Sequence, residues 1–334
     1  MTIRERIEAA EASQLSEFAA LAARSRGRRE PEPPDATRTC YMRDRDRIIH
    51  RAKAFRRLAH KTQVFISPLD DHVRTRLSHT LEVSQIARTI SRALRLNDDL
   101  TEAIALAHDL GHAPFGHAGE EGLDEALRGH GFESGFHHAI HSLRVVDQLE
   151  REGRGLNLTW EVRNGIVAHT KGRANLADEV ADRPATLEAQ VVRFSDRIAY
   201  LNHDIDDAVR AGVLRVQDLP ADALAALGTT HGQRISRMVE DVISNSLDRP
   251  AVTMSAEVAA AADVIKEFMF TEVYLNTAAA NAHRARIKAM VGALWAHYLE
   301  HAEAVPHPHP SLDLSRRTDR ATAACDYVAG MTDR

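Results

Sequence analysis

The chain has 334 residues, 44% of them hydrophobic and 27% charged, with a net charge of -5 and 19 histidines against 2 cysteines; that length can bury a core without cross-links. Cys40 and Cys325 lie almost a whole chain apart, which excludes a disulfide framework and a thiolate zinc finger. No run of 18 apolar residues occurs, and MTIRERIEAAEAS carries charges where a signal peptide needs an apolar stretch, so the expectation is a reduced, cytoplasmic protein with no membrane partner.

Residues 1–42 read as an extended arm, Pro- and Arg-rich over 24–42 (RSRGRREPEPPDATRTCYM). Residues 24–61 hold 13 Arg and Lys against 5 Asp and Glu. That excess reads either as a solvated helix face or as an anion-binding patch, and the acidic remainder of the chain favours a small phosphate site over a broad nucleic-acid surface. Val64-Phe65-Ile66 is the one short strand candidate. From Leu77 onward, Leu81, Val83, Ile86, Ala87, Ile90 and Leu94 extend one apolar helical face. Asn97 and Asp98 break it and can cap a second helix, which runs through Ile104 to His108-Asp109 with Gly111 as its stop. After the loop HAPFGHAG, a helix over about 119–128 carries Glu120 and Glu121 in its first turn, where the helix dipole favours acids. Further helices are expected over 137–151, 159–170 and 186–211. The last places Leu187, Val191, Phe194, Ile198, Leu201 and Ile205 on one side and Asp196, Tyr200, His203 and Asp207 on the other. Residues 304–312 read as a loop. The expectation is an all-α fold, with a core over 43–211 and a C-terminal helical part over 212–334 belonging to the same domain.

Seven of the histidines fall between His108 and His141. This concentration reads as a metal or acid/base site rather than as a polar helix surface, because imidazole ligates metals and titrates near neutrality. His79 and Asp196 each sit at the border of an apolar helical stripe. A buried, ionised Asp is costly unless it is paired or metal-bound; Asp196 could pair with Arg193 or Arg197, and His79 could be a hydrogen-bonded core histidine.

The stretches DRDRIIHRAKAFRRLAHKTQVF (44–65), RTRLSHTLEVSQIARTI (74–90), AHDLGHAPFGHAGEEGLDE (107–125), GLNLTWEVRNGIVAHTKG (155–172), EAQVVRFSDRIAYLNHDIDDA (188–208) and DYVAGMTDR (326–334) together resemble the bacterial deoxynucleoside triphosphate triphosphohydrolase (dGTPase-like) family of the HD-domain superfamily. The resemblance covers most of the chain. It implies the HD helical fold with additional C-terminal helices, and hydrolysis of a deoxynucleoside triphosphate to deoxynucleoside and inorganic triphosphate by water attack at the α-phosphorus. It further implies one divalent metal held by His79, His108, Asp109 and Asp196. Two imidazoles and two carboxylates suit Mn, Fe, Co, Ni or Zn and tolerate Mg, and a further Mg can accompany the triphosphate. His117, Glu120 and His138 match the family's proton-transfer residues. Arg76, His112 and Arg197 match phosphate contacts, Gln63 and Asp204 sugar contacts, and Tyr200 a wall against a 2′-hydroxyl. A homo-oligomer is expected, with weak single-stranded nucleic-acid binding by the basic segment.

The chain departs from the family pattern at Ala113, where Pro is frequent, and at Phe136–Arg144. There His137, Ala139 and His141 stand where the family has Glu, Asn and Gln, so His141 either replaces the lost hydrogen bonding or helps to hold a second metal. The chain stops at Thr332-Asp333-Arg334 in a segment the family continues, which reads as a truncation. The alternatives are an HD phosphohydrolase acting on nucleoside monophosphates or signalling nucleotides, and a weakly active nucleotide sensor that binds single-stranded nucleic acid.

Overall fold

The computed structural model describes residues 1–63, 74–170, 183–274 and 278–334. Among them the fold is all-α. No β-strand occurs, only isolated bridges pairing Arg28 with Thr159 and Thr62 with Thr75; Val64-Phe65-Ile66 lies outside the described residues. No described helix is long and apolar enough to cross a membrane. The chain forms two compact units, each assembled from three segments. The first comprises Met1–His50, His79–His108 and Asn157–Leu275, and the second comprises Arg51–Ser78, Asp109–Leu156 and Asn276–Arg334.

In the first unit the helix Asp98–Ala107 packs against Trp160–Ala168 and Leu187–Arg210. Asn97 caps the first of these by accepting from the Leu100 amide at 3.1 Å, and Thr186 caps the last through Ala189 at 3.2 Å, as helix N-termini require. Leu100, Ile104, Val162, Ile166, Val191, Ile198 and Ile205 are buried, each contributing about 1.5–3 kcal/mol of hydrophobic stabilisation before entropy is charged against it. Gly165 lets two of these helices meet, since a Cβ there would lie 2.6 Å from the Ile104 side chain.

The first 42 residues differ from the expected extended arm. Ile3–Gln14 is a helix closed by a Thr2/Glu5 capping box, and the following stretch is tied down by charge. The Arg28 guanidinium pairs with buried Asp44, whose other oxygen accepts from the Thr159 amide at 2.8 Å and hydroxyl at 2.6 Å. Arg38, Arg43, Arg45 and Arg47 also pair with carboxylates. Much of the local positive excess is therefore spent inside the fold.

In the second unit Gly116–Gly129 packs on Ala278–Glu300, which packs on Arg317–Ala329. Leu123, Leu127, Ile287, Val291, Trp295, Ala324 and Val328 form the core between them. The single helix expected over 137–151 is interrupted: His138–Arg144 passes into a π-helical turn, and Arg151 and Glu152 then take left-handed conformations at φ 55° and 60°.

Candidate active site

Within the first unit, ligand atoms of His79, His108 and Asp196 all lie within 4.8 Å of one another. Asp196 Oδ1 is 3.1 Å from His79 Nε2 and 3.8 Å from His108 Nε2. His108 Nδ1 donates to the Ala105 carbonyl at 2.7 Å. A carbonyl can only accept, so that ring carries its proton on Nδ1 and presents the Nε2 lone pair. His169, 5.0 Å away between ring centroids, is held the same way by the Ile166 carbonyl. Burial alone would push the Asp196 carboxyl up, but the hydrogen bond to His79 and the charges of His108, His79 and His169 hold it well below the usual carboxylate range. The donor set suits a divalent metal: a carboxylate kept ionised between two imidazoles, one of them with its tautomer fixed for ligation.

In the second unit Glu120 joins three histidines. Its Oε1 accepts from the His138 amide at 2.9 Å and from His138 Nδ1 at 2.7 Å, and its Oε2 accepts from His117 Nδ1 at 3.2 Å. His112 Nε2 lies 3.7 Å from Oε2, with the His112 ring stacked on His138 at 4.7 Å. Burial opposes the charged Glu120, but the bonds from His117 and His138 and the His138 and His112 charges outweigh it and hold the carboxyl far down. Burial likewise opposes a charged His138, yet the bond to Glu120 and its negative charge raise that imidazole above its ordinary value. His112, buried and beside Arg76 and His138, is driven well down. One carboxylate thus favours the protonated form of one imidazole while burial favours the neutral form of its neighbour, a pairing suited to proton transfer.

The loop before these residues is fixed from several sides. Lys61 Nζ, buried, donates to the His112 carbonyl at 2.5 Å and the Ala329 carbonyl at 2.7 Å, and burial lowers its pKa to about 7. Asp333 accepts from the Phe115 amide at 2.8 Å and the Thr62 amide at 2.6 Å, holding Phe115 in a left-handed conformation at φ 60°, a geometry that costs about 1–3 kcal/mol. Gly111 meets the helix His138–Arg144 so closely that a Cβ would lie 2.2 Å from the Ser142 amide nitrogen.

An HD-domain model matches residues 76–201 and a phosphohydrolase-associated domain model matches 252–334. The chain is 52% identical to a deoxyguanosinetriphosphate triphosphohydrolase-like protein of Caldanaerobacter subterraneus subsp. tengcongensis, over 100% of this chain and 93% of that protein. A protein with the same description from Desulfatibacillum aliphaticivorans is 46% identical over 100% of this chain and 95% of its own length. Another, from Clostridium perfringens, is 45% identical over 100% and 95%. The chain belongs to the deoxyguanosinetriphosphate triphosphohydrolase-like family. It is an HD-domain phosphohydrolase.

For this family member the remaining sequence-predicted residues divide between the units. Asp109, next in sequence to His108, lies in the second unit and takes the Arg76 guanidinium on its carboxylate. Arg76 is 2% exposed, and its Nε and Nη2 find no hydrogen-bond partner among the described residues. Gln63 Oε1 is likewise buried without one. Arg197 and Tyr200 are half-buried and Asp204 is buried, all on Leu187–Arg210 beside Asp196. Of the two readings of His141, the hydrogen-bonding one matches what the structure shows. His141 Nδ1 donates to the Gly111 carbonyl at 2.9 Å and its Nε2 lies 3.4 Å from the Asp326 carboxylate, so the ring lies between the loop and Arg317–Ala329, and among the described residues His141 belongs to none of the groups that could hold a metal. His137 caps its helix by accepting from the Ala139 amide. Lys61 and Asp333 were not singled out from sequence; a lone Lys and a lone Asp carry no spacing signal, although both stand inside the family-like stretches.

Proposed function

We propose that this phosphohydrolase cleaves deoxynucleoside triphosphates to deoxynucleoside and inorganic triphosphate. The observation that carries the reading is the convergence of His79, His108 and Asp196, in a chain 52% identical to a relative described as deoxyguanosinetriphosphate triphosphohydrolase-like. His79, His108 and Asp196, with Asp109 as the fourth residue by family pattern, would hold one divalent cation of the Mn, Fe, Co, Ni, Zn or Mg group. When bound, such an ion supplies Lewis-acid polarisation of a phosphoryl oxygen.

The chain's own residues do the rest. Water adds at the α-phosphorus as the bond to the 5′-oxygen breaks, so one proton must leave the water and one must reach the 5′-oxygen. His138, kept protonated by Glu120, holds the proton for the leaving oxygen. His117, on the other oxygen of Glu120, moves the proton at the attacking side. Arg76 offers Nε and Nη2 to phosphate as forked donors, joined by His112 and Arg197. Gln63 and Asp204 meet the sugar and its 3′-hydroxyl, and Tyr200 excludes a 2′-hydroxyl. Family resemblance adds a homo-oligomer, Mg accompanying the triphosphate, and weak single-stranded nucleic-acid contact through exposed Arg24 and Arg26.

The test is a panel of the four dNTPs against metal-stripped protein reloaded with each ion, with products separated by chromatography. Triphosphate with deoxynucleoside supports the reading; pyrophosphate, orthophosphate, or no product with any ion contradicts it.

A further inference from the structure

The second unit carries an arrangement that proton transfer alone does not explain. His112 is 1% exposed, its Nδ1 donates to the Ala113 carbonyl at 3.3 Å, and its Nε2 finds no hydrogen-bond partner among the described residues. A ring with its proton on Nδ1 presents a lone pair at Nε2, and that lone pair faces a carboxylate oxygen, Glu120 Oε2, at 3.7 Å. Two electron-rich atoms turned towards each other in a buried place mark a position for a cation. His117 Nδ1 closes the triangle at 3.2 Å from the same oxygen, and the ligand atoms of all three residues lie within 4.8 Å of one another.

We propose that His112, His117 and Glu120 form a second binding site for a divalent transition ion of the zinc class, separate in its ligands from the His79–His108–Asp196 set. Zinc bonds of about 2.0–2.2 Å to nitrogen and oxygen put tetrahedral ligands about 3.3–3.5 Å apart, close to the two spacings seen here. Glu120 divides its work to allow this, because Oε1 is taken by the His138 amide and ring while Oε2 is left to the triangle. Three protein ligands leave a fourth position open. Entry is from solvent, since the His117 side chain is 62% exposed. The Arg76 charge acts against a cation here, but its pairing with Asp109 reduces that opposition.

Two neighbouring combinations fit less well. In the Asp109–His112–His138 group the carboxylate is the one that family pattern gives to the first ion, and it faces the Arg76 guanidinium. In the Glu120–His137–His138 group His137 Nδ1 accepts from the Ala139 amide. An ion on the triangle takes the place of the proton shared between His117 and Glu120. Resting on the proposed function, this makes zinc beyond the first equivalent an inhibitor of hydrolysis.

The test reads metal, not turnover, so it stands whatever the substrate is. Metal-stripped protein is dialysed against buffered zinc and the bound ions are counted by mass spectrometry. Wild type should hold two per chain, His79→Ala one, His117→Ala one, Glu120→Gln one, and the His79→Ala/His117→Ala pair none. His117 is exposed, so its variant remains informative even if His79→Ala fails to fold. One ion in wild type at saturating zinc overturns the proposal, as do two ions retained in both His117→Ala and Glu120→Gln. Loss of the second ion in His137→Asn but not in His117→Ala also overturns it.

Discussion

The His79–His108–Asp196 cluster and the His112–His117–Glu120–His138 cluster are built from the same residue types, yet they differ in what holds the imidazole protons. In the first, a backbone carbonyl takes the His108 Nδ1 proton at 2.7 Å. A neutral acceptor fixes the tautomer without adding charge, so the far nitrogen stays a ligand. In the second, a carboxylate takes the His138 Nδ1 proton at the same 2.7 Å. Its charge raises that imidazole and makes it a proton store. The difference between a ligand and an acid therefore lies in the group behind the ring, not in the ring.

Four substitutions and one pH profile probe that contrast, from the largest effect downward. Asp196→Ala should reduce hydrolysis to background and remove one metal ion per chain, with circular dichroism unchanged; retained metal would break the assignment of the first cluster. Glu120→Gln and His138→Ala should each lower kcat by about 10²–10⁴-fold, the range for loss of a positioned acid or base, while the ion on His79, His108 and Asp196 remains. Third, the pH profile should separate the clusters. The His138 imidazole is raised above its ordinary 6.5 by Glu120, so the pairing contributes fully below 6.5 and is lost as pH rises through the raised value. Glu120 is depressed below its ordinary 4.5, so its contribution is present above 4.5 and disappears only as pH falls far below. The alkaline limb of kcat should accordingly move to lower pH in Glu120→Gln, and an unmoved limb would separate His138 from the proton step. Fourth, Asp333→Asn keeps one acceptor and loses the charge that serves the Phe115 and Thr62 amides. It should cost about 1.5–3 kcal/mol in urea unfolding, the range for bonds to charged groups, with the metal content intact.

The first cluster was legible in the sequence through the family resemblance, since the local signals alone left His79 open as a core histidine and Asp196 as a partner of Arg193 or Arg197. His79 and Asp196 sit at the edge of apolar helical stripes, and Asn97 announces the helix that delivers His108. The His117–Glu120 pairing came with the resemblance too, and the helix starting at Gly116 puts the two side chains three apart on one face. Other features depend on contacts between distant segments. Nothing in the Arg-rich stretch showed that Arg45 would meet Asp99 and Glu102, or that Arg28 would meet buried Asp44, and so the charge excess read either as a solvated helix face or as an anion-binding patch. The helix Gly116–Gly129 begins earlier than expected because Asp333, over two hundred residues on, holds Phe115 at its start. His141 was open to a hydrogen-bonding role or a metal-binding one, and only the contacts with the Gly111 carbonyl and Asp326, distant in sequence, show which partners it meets.

In the proposed reaction, water attacks the α-phosphorus with the 5′-oxygen as leaving group. Hydrolysis in ¹⁸O-labelled water, followed by mass spectrometry of both products, tests it most directly. The account predicts one labelled oxygen in inorganic triphosphate and none in the deoxynucleoside. Label in the deoxynucleoside, or label in orthophosphate or pyrophosphate with no triphosphate formed, would contradict it.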